Sequence, residues 1–172
     1  MQGPPSSGGN RLDEVDPPRG PGPAPTGAYQ WAGRGDLRLA SRPMRVTRIY
    51  TGDDGQSHFE DLEVPLGSGS NRLSELVPLT GVMFRHTAAG STLDYHPAPR
   101  RQFVVTLTGR VEVGCADGTS RIFGPGDVML ADDITGQGHT SVQLGDEERT
   151  SLFLVLGEGV DVSAWRPAAG SP

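Results

Sequence analysis

Four histidines, His58, His86, His96 and His139, are the side chains of this 172-residue chain whose ordinary pKa lies nearest neutral, so proton transfer would centre on them. Around His96, the nine residues from Asp94 to Gln102 gather a phenol, an imidazole, two guanidiniums and an amide. Tyr95, His96 and His139 could act as general acids and bases, and Gln102 could donate a hydrogen bond to a carbonyl oxygen gaining negative charge. Arg100 and Arg101 follow a Pro-Ala-Pro turn, where they could anchor a carboxylate or enolate at a rim. The plainer alternative is that both are solvated edge charges that deter strand pairing. His86 alternates with Val82 and Phe84, as either an interior polar group or a substrate contact, and His58 beside Phe59 fits a surface or edge position. There is no lysine, so Schiff-base chemistry through a lysine amine is excluded. Cys115, the single cysteine, has no partner for a disulfide and no evident histidine to activate it.

The elements that must hold these groups read as short strands. RVTRIY (45–50) is followed by the turn cluster TGDDGQ, then SHFEDLEVPL and a polar GSGSNR loop. VPLTGVMFRHT reads as a strand pair or a bent strand, with Gly81 at the bend. FVVTLTG, RVEVG, a hairpin turned by Asp117-Gly118, DVMLA, HTSVQL and TSLFLVL complete the series, and no helical period is long enough to matter. This spacing of strands and turns predicts an all-β sandwich or jelly roll. In 102–108, Gln102, Val104, Thr106 and Thr108 share one face, opposite Phe103, Val105 and Leu107. In 151–156 both faces are apolar, so something must cover the outside: an N-terminal segment or, as we expect, a second subunit in a homodimer.

Before Pro43 the composition changes sharply. MQGPPSSGGN and DPPRGPGPAPTG lack apolar periodicity, which predicts a disordered leader over 1–43, or a translation start at Met44. The barrel is expected over 44–160 and a C-terminal tail over 161–172. A net charge of −6 argues against a nucleic-acid partner, and no apolar run approaches the length of a membrane span. The absence of a secretory signal pattern and of paired cysteines fits a cytoplasmic location.

Two segments carry a family resemblance. In Gly90–Gly109 five residues separate Gly90 from His96, three separate Ala98 from Gln102, and six separate Gln102 from Gly109. Gly118–Val142 contains the turn Pro125-Gly126-Asp127 and ends near His139. These segments resemble the first and second cupin motifs, which implies a cupin jelly roll, a double-stranded β-helix, with His96 and His139 directed into one cavity. Cupin metal sites typically use three His and one Glu, but Ala98 stands at the second His position and Gln102 at the Glu position. The second motif also departs in a longer loop before His139 that lacks the family's proline. The resemblance therefore implies His96, His139 and Gln102 as a reduced set for a divalent ion (iron, manganese, nickel or zinc), with Asp94, Asp132 or Asp133 available to complete it.

The lost ligands favour a small-molecule isomerase, cyclase or dehydratase of specialised metabolism that needs no metal and works through His96, His139, Gln102 and Tyr95, with Arg100, Arg101 and His86 as substrate contacts. The alternatives are a metal-dependent dioxygenase or related oxidoreductase, and a non-catalytic binding or sensory barrel.

Overall fold

Gly55, in the left-handed region at φ 76°, turns the first hairpin, and its two strands run with strict register from Met44↔Val64 to Thr51↔Ser57. The computed structural model describes residues 43–167 together with Gly3. The expected disordered leader and residues 168–172 lie outside the described residues. Among the described residues are ten strands: β1 (Met44–Thr51), β2 (Ser57–Val64), β3 (Leu79–Thr87), β4 (Thr92–His96), β5 (Gln102–Thr106), β6 (Arg110–Gly114), β7 (Ser120–Phe123), β8 (Val128–Asp132), β9 (His139–Leu144) and β10 (Arg149–Leu156). One sheet has the order β2-β1-β8-β5-β10-β3 and the other β4-β9-β6-β7. All pairs are antiparallel except β1 with β8. No helix among the described residues is long and apolar enough to cross a membrane.

Alternation along the strands sorts side chains onto two sides of the larger sheet. Gln102, Val104 and Thr106 of β5, Met129 and Ala131 of β8, and Phe153 of β10 turn toward the space between the sheets. They meet Val111, Val113 and Phe123 from the smaller sheet there. On the other side Phe103, Leu130 and Leu156 form a second apolar cluster with Val46, Leu62 and Val64.

The chain itself supplies much of the cover for that second side. Val162 is buried in the cluster, Trp165 stacks on Phe103 with ring centroids 6.0 Å apart, and Leu66 and Val77 pack against it from the 65–78 loop. Packing thus extends past residue 160, where the sequence suggested that the barrel ends. What the outer face of the larger sheet retains in the open is largely on β3, where Val82 is 50% and Phe84 82% exposed.

The segment read as a bent strand is one strand, β3. Its bend is a shift in register against β10, between Val155↔Gly81 and Leu156↔Leu79. β4 is absent from the expected series: TLDYH alternates polar and apolar residues but over only five positions, and pairing with β9 makes it a strand.

Candidate functional site

The space between the sheets is an open cavity of about 540 Å³, within the range of small-molecule sites. His96 ends β4 and His139 begins β9, and the two stand directly opposite in the register. Their ring centroids are 4.6 Å apart at an interplanar angle of 52°. Glycine allows this approach: Gly138 has φ 79°, and a Cβ there would lie 2.1 Å from the carbonyl carbon and oxygen of His96.

Each imidazole is fixed through Nδ1. His139 Nδ1 lies 2.7 Å from Asp133 Oδ2, which also accepts a hydrogen bond from Ser57 Oγ at 2.7 Å. Asp133 and Ser57 are fully enclosed, and Asp133 Oδ1 has no partner. His96 Nδ1 is 2.8 Å from the backbone oxygen of Asp94. A carbonyl oxygen only accepts, so His96 donates from Nδ1 and keeps Nε2 as the free nitrogen. The Asp133 carboxylate selects the same tautomer at His139.

Gln102 is buried on the cavity wall, and its Oε1 has no partner. A half-turn of the amide exchanges donor and acceptor, so it can offer either to a bound oxygen or hydroxyl. The alanine at position 98 also lines the cavity, near His96 as the motif implied.

Other candidates from the sequence fall elsewhere. Arg101 donates to Asp132 and to the Val160 backbone oxygen, which ties the C-terminal segment down and uses the side chain structurally. Arg100 extends to Met83 Sδ, 3.4 Å away. Neither arginine, nor the exposed Tyr95, lines the cavity. His86 lies at the cavity's rim with Nε2 2.7 Å from Glu148 Oε2. His58 pairs with Asp54 away from the site, as its edge position suggested. Cys115 is buried and its thiol is pushed up to about 11 by desolvation, so at neutral pH it stays protonated and a poor nucleophile.

The residues present do not fit a divalent cation. Among the described residues no three His, Cys, Asp or Glu side chains gather as a ligand group. His96, His139 and Gln102 do meet at one cavity, but they supply two imidazoles and a neutral amide. Of the three carboxylates considered, Asp132 is engaged by Arg48 and Arg101, Asp94 turns back to the Tyr95 backbone N–H, and Asp133 serves His139 and Ser57.

Sequence reasoning missed a second polar group on the cavity lining. Arg149, 6% exposed, donates from Nε to Gln143 Oε1 at 3.1 Å, and Gln143 Nε2, also buried, has no partner. Burial pushes the Arg149 guanidinium below the usual arginine range, and the charge of Arg85 pushes the same way. Arg85 also lines the cavity, with its guanidinium over the Phe153 ring. Gln143 shares a strand face with His139 by simple alternation and was legible on that ground; Arg149 sat in the charged run Asp146–Arg149, which reads as a solvated turn.

Two sheets wrapped around one open cavity, with a histidine pair on its lining, define a jelly-roll barrel. The strand order, and the way the two motifs bring His96, Gln102 and His139 to one cavity, resemble those of a cupin barrel. No protein-family model matches the chain, and no curated protein matches it. Among solved structures it is similar to a Cupin 2 conserved barrel domain protein from Salinispora arenicola, at 19% identity and TM-score 0.38, over 56% of this chain and 76% of that one. It is also similar to a sugar phosphate isomerase of the cupin superfamily from Silicibacter pomeroyi, at 19% identity and TM-score 0.37, over 70% and 74%. A protein with a double-stranded β-helix domain from Klebsiella pneumoniae matches at 18% identity and TM-score 0.37, over 49% and 77%. Similarity at this level carries nothing about substrate or reaction.

Proposed function

We propose that the protein is a metal-independent enzyme that moves protons on a small carbonyl-bearing molecule, as an isomerase, cyclase or dehydratase. The observation that carries this reading is the His96–His139 pair, 4.6 Å apart by ring centroids, with Nδ1 of each ring held and Nε2 of each free. One Nε2 takes a proton from the carbon beside a carbonyl, and the other ring, when protonated, returns one at a second atom of the same molecule. The Gln102 amide stabilises the oxygen that carries the developing charge. An oxidoreductase reading would need a metal, for which the donor set falls short.

The test is exchange with solvent. In D2O containing a chelator, a panel of small carbonyl compounds is incubated with protein and searched by mass spectrometry for a gain of one mass unit or for rearranged product. At least one compound should respond with the wild-type protein, and His139→Gln and His96→Gln should each reduce the response by about a hundredfold or more. A response that both variants retain, or one that the chelator abolishes, defeats the reading; a compound that binds with neither exchange nor turnover marks a binding barrel instead.

We also propose that a second copy covers the exposed outer face of β3. Val82 and Phe84 stand side by side on the free edge of the larger sheet, and an apolar edge strand left bare is prone to pairing. Sedimentation should give a dimer for the wild-type chain and a monomer for Phe84→Asp; a monomeric wild-type protein would remove the proposal.

A further inference from the structure

The cavity contains a charge that no described residue balances. Arg149 is almost wholly enclosed, and among the described residues no carboxylate pairs with it; its recorded partner is the neutral oxygen of Gln143. Enclosing a guanidinium in this way costs heavily unless a partner completes it. The surrounding groups deepen the imbalance. Arg85 stands one diagonal away across the β3–β10 pairing, in which Arg149 lies opposite Thr87 and Ser151 opposite Arg85. Gln143 presents an unpartnered buried N–H group, and Thr87 a buried hydroxyl without a partner. Glu148, next to Arg149 in the chain, is engaged by His86. This part of the lining therefore carries two cations and several polar groups but, among the described residues, no carboxylate to pair with Arg149.

We propose that this part of the lining is an oxyanion subsite, and that the molecule worked on by the histidine pair carries a carboxylate or phosphate group held by Arg149, Gln143 and Arg85. The inference rests on the proposed function for what happens at the other end of the molecule, but the subsite itself does not depend on it. With Nε committed to Gln143, Arg149 offers its two Nη groups as a fork that two oxygens of one oxyanion can accept. Gln143 Nε2 adds a third donor, and Arg85 supplies the second positive charge. The subsite and the histidine pair line the same cavity of about 540 Å³, and His139 and Gln143 stand four residues apart on β9. A molecule long enough to span that stretch of strand, about 13 Å, meets the arginines at one end and the imidazoles at the other. The positive lining and the short set of metal ligands are consistent with each other, because a site that attracts an anion repels a divalent cation.

The subsite can be read without any turnover. Buried arginine Nε–Hε groups give resolved signals in 15N-labelled protein. Inorganic phosphate, and separately acetate and succinate, are titrated at constant ionic strength while the Arg149 Hε and Gln143 side-chain amide signals are followed. At least one anion should shift both signals saturably. Saturation by phosphate alone assigns a phosphate ester, saturation by carboxylates alone assigns an organic acid, and either supports the subsite. Arg149→Met should lose the saturable shift at Gln143, and Gln143→Leu should weaken binding about tenfold, so the second variant serves if the first does not fold. His139→Gln should bind the anion as the wild-type protein does, which separates this subsite from the proton-transfer reading. If neither phosphate nor a carboxylate shifts the wild-type signals saturably, or if Arg149→Met and Gln143→Leu bind as tightly as the wild type, the subsite is overturned.

Discussion

Gly138→Ala should destabilise the barrel by about 3–5 kcal/mol and separate the two histidine rings. The new Cβ would lie 2.1 Å from backbone atoms of His96 and 2.3 Å from the nitrogen of Pro97, none of which can rotate aside as a side chain can. The left-handed φ of 79° adds strain of its own. Gly145→Ala is the matched control: its φ is 77°, but nothing lies within 4 Å of the added Cβ, so only about 1 kcal/mol is at stake. Thermal unfolding should show the difference as a drop in Tm of about 10–20 °C against a few degrees. Equal losses in the two variants would mean that conformation alone matters and that the close approach to His96 does not.

The second large effect lies behind His139. Asp133→Ala removes the acceptor for the His139 imidazole and the Ser57 hydroxyl, both of them buried. Two buried donors then go unmet, for a cost of about 2–5 kcal/mol. The tautomer should change as well. In the wild-type protein the His139 proton sits on Nδ1, and without the carboxylate the ring should populate both forms. Long-range 15N–1H spectra of the imidazole report this directly, with Tm as the companion measurement. An unchanged tautomer and an unchanged Tm would show that Asp133 neither orients the ring nor supports the fold. Asp133→Asn should fall between, because its amide oxygen can still accept from one of the two donors.

Much of the barrel is written in its alternation. Gln102, Val104 and Thr106 face the cavity and Phe103 faces away, as their spacing required. The meeting of His96, Gln102 and His139 was implied by the resemblance of the two segments to cupin motifs and by no local pattern. The positions of Arg100, Arg101 and Tyr95 were not legible. Arg101 is drawn away by Asp132 and the Val160 carbonyl, partners 31 and 59 residues further along the chain. Asp133 was legible as a carboxylate near the site, yet its service to His139 and Ser57 depends on an approach of β2 to β9 that no local pattern encodes. Arg149 was hidden for a related reason: a charge beside a turn reads as solvated until the sheet that encloses it is known. The apolar outer face led to the expectation of an N-terminal segment or a second subunit as cover, whereas a polar, proline-containing C-terminal stretch gave little sign that Val162 and Trp165 would supply much of it.

That cover gives the two sides of the larger sheet different duties. The cluster built on Val46, Leu62, Leu130 and Phe103 works like a keel: it anchors the fold from the side facing away from the cavity. The cavity side has a packed cluster of its own around Val104, Val111 and Met129, yet beside it the cavity keeps groups that packing would reject, among them an unbalanced guanidinium and several amide and hydroxyl groups waiting for partners. Those groups are thus freer to vary during evolution, so a lineage could change what the barrel recognises well before it risked the barrel itself.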